Sequence, residues 1–104
     1  MDTKYADKLT ALLMALKATG KQFPPPTVKE FHGGWGLHFF HGTDGLSVVC
    51  HGGSYGLETA EITGTTEKWE FSDPNPCTQV KGHRDVEEVA ADIVRLYFPP
   101  LLGQ

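Results

Sequence analysis

A chain of 104 residues is the size of one domain and long enough to bury a core without a metal or a disulfide framework. Its net charge of -4 lacks the basic footprint that nucleic acid and anionic membranes require, and no apolar run reaches the roughly 20 residues that span a bilayer. Two cysteines, Cys50 and Cys77, are too few for a disulfide framework and, with no leader-like segment in view, predict free thiols in the cytoplasm.

Residues 3–19 predict an amphipathic helix. Tyr5, Leu9, Leu12, Leu13 and Leu16 recur at three- and four-residue spacing, and Gly20 stands where a left-handed cap belongs. Lys17 and Lys21 flank the negative end of the helix dipole. Residues 21–31 follow with Pro24, Pro25 and Pro26, which donate no amide hydrogen bonds, and predict a stiff extended connector.

The next segments alternate with the period of a strand. Residues 35–42 put Trp35, Leu37, Phe39 and His41 on one face, with Gly36, His38 and Phe40 on the other. A turn at 42–45 leads into a strand over 46–51, where Leu46, Val48 and Cys50 share a face opposite to Ser47, Val49 and His51. Pairing His41 with Leu46 would set His38 opposite Val49. A third strand over 56–63 and a fourth over 65–71, joined at Thr63-Gly64, place Ala60 and Ile62 on the core side with Trp69 and Phe71. Residues 72–82 contain Pro74 and Pro76 and read as irregular. Asp85 and Glu88 have capping-box spacing ahead of a helix striped by Val86, Val89, Ala90, Ile93 and Tyr97, which Pro99 and Pro100 stop. The expected fold is α+β: a four-stranded antiparallel meander with N- and C-terminal helices in a two-layer sandwich.

Chemistry is sparser. Four of the five histidines fall between positions 32 and 51, so His38 and His51 could hold zinc or copper with His32 or Glu30. Alternation sends Cys50 to the opposite face from His51, which weakens both a shared metal and a thiolate–imidazole pair. The glycines of 32–36 and 51–56 match neither a dinucleotide fingerprint nor a Walker lysine, and serve turns or bulges. Glu58 with Glu61, Glu67 with Glu70, and Glu87, Glu88 and Asp92 read as solvated faces.

The pattern therefore points to a small non-catalytic binding or regulatory protein, an inhibitor or accessory subunit of the kind phages and mobile elements encode. It acts on a protein partner, with self-association as a homodimer also compatible, and needs no cofactor. Trp35, His38, His51 and Tyr55 form the expected interaction surface, since Tyr and Trp are favoured anchors. The alternative is a small metal-binding protein or cysteine-dependent enzyme centred on His38, Cys50 and His51.

Overall fold

The computed structural model describes residues 3–31, 33–52, 56–64 and 80–99. Helix α1 spans Thr3–Ala18, and strands β1 (Thr27–Phe31), β2 (Gly34–His41), β3 (Asp44–Cys50), β4 (Leu57–Ile62) and β5 (Lys81–Arg84) precede helix α2 (Val86–Tyr97). The five strands form one antiparallel sheet in sequence order, β1-β2-β3-β4-β5. The fold is α+β with two flanking helices, as the patterning predicts.

Two of these strands correct the sequence reading. β1 lies inside the segment expected to be a connector and begins at Thr27, the first residue after the proline run. As the outer strand beside β2 it needs amide donors on one side alone, a position that tolerates prolines at its entrance. β5 begins within the stretch expected to be irregular and runs two residues past it, and Lys81-Gly82-His83-Arg84 carries no apolar alternation. It is held by pairing Leu57 with Arg84 and Thr59 with Lys81 across a bulge. The strand expected over 65–71 lies outside the described residues, and the neighbours of β4 are β3 and β5.

The β2–β3 hairpin is tighter than anticipated. His41 pairs with Asp44, leaving Gly42-Thr43 as a two-residue loop, and His38 faces Ser47 rather than Val49. Gly42 has φ +69° while Thr43 stays at negative φ. That is the pattern of a type II′ turn, whose twist matches the flanking strands. The correction shifts the register by two residues, so each side chain keeps its predicted face.

Both helices pack on one face of the sheet. Leu12 and Leu16 of α1 and Val89, Ala90 and Ile93 of α2 bury against Trp35, Leu37, Phe39, Leu46, Val48, Cys50 and Leu57. Each large side chain removed from water contributes about 1.5–3 kcal/mol. Leu13 falls outside this set at 46% exposure, because adjacent helical residues diverge by about 100° and Leu12 takes the inward position. Leu57 faces the helices, while Ala60 and Ile62 lie on the opposite face. That second face is buried too, at Ile62, Ala60, His38 and Ser47. A two-layer sandwich accounts for the helix-covered side only.

Helix ends follow the predicted chemistry. Gly20 closes α1, its N–H donating to the Lys17 carbonyl at 3.2 Å. At α2 the Asp85 N–H donates to Glu88 Oε1 at 3.0 Å, the returning half of a capping box.

Candidate functional site

Of the residues expected to form an interaction surface, Trp35 and His38 are buried. Trp35 is fully buried, and its indole N–H donates to the Tyr5 carbonyl at 2.6 Å, tying β2 to α1. His38 is 1% exposed, its ring set edge-on to Phe40 with centroids 5.8 Å apart. Neither side chain reaches the described surface. His51 is half-buried just past the end of β3, and Tyr55 lies outside the described residues.

The alternative centre fares no better geometrically. Cys50 pairs with Trp35 and faces the helices, whereas His38 pairs with Ser47 on the other side of the sheet. The Cys50 thiol is 3% exposed within the apolar core, and burial pushes its pKa up from the usual 9.0, with the Lys8 charge opposing. A nucleophilic cysteine needs the reverse shift. Among the described residues no three His, Cys, Asp or Glu side chains are grouped as metal ligands. His32 and Cys77 lie outside those residues.

The glycines flanking this region answer to backbone geometry. A Cβ on Gly34 would sit 2.0 Å from the Cys50 carbonyl oxygen and 2.7 Å from the His51 Cα. The chains of β2 and β3 approach too closely there for any side chain.

Two side-chain clusters, one polar and one aromatic, escaped the sequence reading. Arg84, at the end of β5, donates from Nη1 to Thr59 Oγ1 at 3.0 Å and pairs through Nη2 with Asp92 Oδ2 at 2.9 Å. Its Nε lies 3.8 Å from Glu88 Oε2, and Arg95 also pairs with Asp92. Asp92, expected on a solvated helix face, is instead the acceptor that anchors α2 to β5, with its side chain 16% exposed. A shallow hollow opens beside it, lined by Leu46, Thr59, Ala60, Glu61, Lys81, Arg84 and Asp92. Arg84 is already neutralised by carboxylates there, which makes the cluster a latch between elements.

The second cluster closes the C-terminal end of α2. Phe23 packs on Tyr97 and Phe98, both at 5.9 Å between centroids, and Lys21 lies 4.6 Å over the Phe98 ring. His41 Nδ1 lies 2.8 Å from the Leu96 carbonyl. A carbonyl only accepts, so Nδ1 carries the proton and donates it. The same His41 ring stacks on Tyr97 at 5.6 Å.

No protein-family model, no curated protein and no solved structure matches the chain. Its own side chains and surface are therefore the guide to its role.

Among the described residues the large exposed apolar side chains are Val28, Val80, Phe98 and, adjacent on the outward side of α1, Leu13 and Met14. Eight consecutive residues, 9–16, carry no charge. Within them Met14 is 66% exposed and Leu13 46%, while Thr10 and Ala11 are also exposed. No helix among the described residues is long and apolar enough to cross a membrane.

Proposed function

We propose that the chain is a non-catalytic protein-binding module, regulatory in role, which engages a protein partner through the outward face of α1. The observation that carries this reading is the adjacent exposure of Leu13 and Met14 on an uncharged helical stretch. A helix loses little by exposing charge and gains solubility from it, so an apolar outward face is surface kept for contact. Residues Thr10, Leu13, Met14 and Lys17 have the i, i+3, i+4, i+7 spacing by which a helix is read in a groove. An inhibitor or accessory subunit would work in this way, since it needs an anchored helix and no reacting group.

Photo-cross-linking tests the reading in the intact protein. A photoreactive residue at position 14 should give discrete protein adducts, and the same group at exposed Glu87 on α2 should not. If position 14 yields no adduct above the position 87 control, α1 is not a contact face and the proposal fails.

A further inference from the structure

Resting on that reading, we propose that the occupant of the α1 face is α1 of a second copy of this chain, packed antiparallel about a two-fold axis. Thr3, Asp7, Thr10, Met14 and Lys17 are all exposed and recur at alternating four- and three-residue steps. The steps are those of a helix–helix seam, with Asp7 and Met14 in one heptad position and Thr3, Thr10 and Lys17 in the other, Met14 being the one apolar member of a largely polar row. The buried stripe of Leu12 and Leu16 faces the sheet, so this seam is a second one, turned away from the core.

Charge chooses the direction of packing. In a parallel pair Asp7 would meet Asp7 and Lys17 would meet Lys17. In an antiparallel pair centred on position 12, Asp7 of each copy meets Lys17 of the other and Met14 covers Thr10. The two charges are ten residues apart, about 15 Å along the axis, with the uncharged stretch between them. The symmetric crossing therefore has two ion pairs at its ends and, between them, Met14 of each copy packed on Thr10 of the other.

Two neighbouring cations are engaged by aromatic rings instead. Lys4 lies 5.1 Å from the centroid of the Tyr5 ring, and Lys21 lies over Phe98. Leu13 borders the seam on one side and Ala11 and Ala18 on the other, so small and apolar groups flank it. An interface of one short helix per copy belongs to the small class, and the expected dimer is weak and reversible.

Sedimentation equilibrium of the purified 104-residue chain tests this. Self-association should appear in the micromolar range or above, and Met14→Glu should abolish it. Asp7→Lys and Lys17→Asp should each weaken it by roughly tenfold or more, because each turns two attractive layers into two repulsive ones. The double variant Asp7→Lys/Lys17→Asp should restore it, and the two single variants should associate with each other when mixed. Circular dichroism melts confirm that each variant is folded. Self-association that ignores Met14→Glu or the charge exchanges places the interface elsewhere and overturns the proposal. A chain that stays monomeric up to about 1 mM also overturns it. In that case adducts with another protein at position 14 would leave the protein-binding reading intact, while their absence would remove both.

Discussion

Cys50 sits beside a histidine in the sequence, yet in the fold it is a buried thiol among apolar side chains. It ends an apolar alternation with Leu46 and Val48, and the structure places it in the helix-covered core. Cys50→Ser should cost about 1–3 kcal/mol in urea denaturation, since an unpaired hydroxyl replaces a soft apolar group, and Cys50→Ala should cost less. The raised thiol pKa also gives stability a pH dependence of fixed sign. The unfolded chain loses the thiol proton near 9.0 while the folded chain keeps it, so this contribution is full below that value and is lost as pH rises above it. Burial shifts Tyr97 the same way from 10.0, extending the loss to higher pH, against an opposing backbone hydrogen bond with Phe40. Melting temperature should fall across pH 9–10 in the native chain, and less steeply in Cys50→Ala. Gly34→Ala is the backbone counterpart. With a Cβ driven onto the Cys50 carbonyl, it should cost about 1–3 kcal/mol by the same denaturation assay.

Elements were legible where their side chains alternate or stripe. β2, β3 and α2 declare themselves by apolar period, and the capping box marks the start of α2. β1 and β5 do not. Both are outer strands of the described sheet, short and charged, and they exist because a neighbour offers hydrogen bonds rather than because their own sequence demands a strand. Side chains that never enter the core leave no periodic trace. The attachment of β5 accordingly rests on Arg84, whose contacts join Thr59 on β4 to Asp92 on α2. With both partners under one-fifth exposed, a double-mutant cycle between Arg84→Ala and Asp92→Ala should give a coupling of about 1–2 kcal/mol. Hydrogen exchange should show β5 losing protection in Arg84→Ala before β2 or β3 does. Equal loss across all strands would mean that Arg84 acts on the fold as a whole and not as a local latch.

At the scale of the molecule, the candidate contact face is defined by what the core leaves out, which is why the sequence pointed elsewhere. Five leucine and tyrosine positions on α1 share one loose stripe, and periodicity cannot say which of Leu12 and Leu13 a sheet will take. Only the direction from which the sheet approaches decides it, and Leu12 is fully buried where Leu13 is not. Trp35 and His38 drew attention as aromatic and polar groups beside glycines, yet a five-stranded sheet with burial on both faces encloses them. The division of α1 into two faces makes a paired prediction. Leu12→Ala should destabilise the chain by about 2–5 kcal/mol, as a cavity opens between helix and sheet. Leu13→Glu and Met14→Glu should stay within about 0.5 kcal/mol of the native chain, since neither side chain packs in the core. Chemical denaturation of the three variants at low protein concentration, where any dimer is dissociated, separates the two costs. Should Met14→Glu destabilise the monomer as much as Leu12→Ala does, the outward face is part of the fold, and weaker association of that variant reflects unfolding rather than a damaged interface.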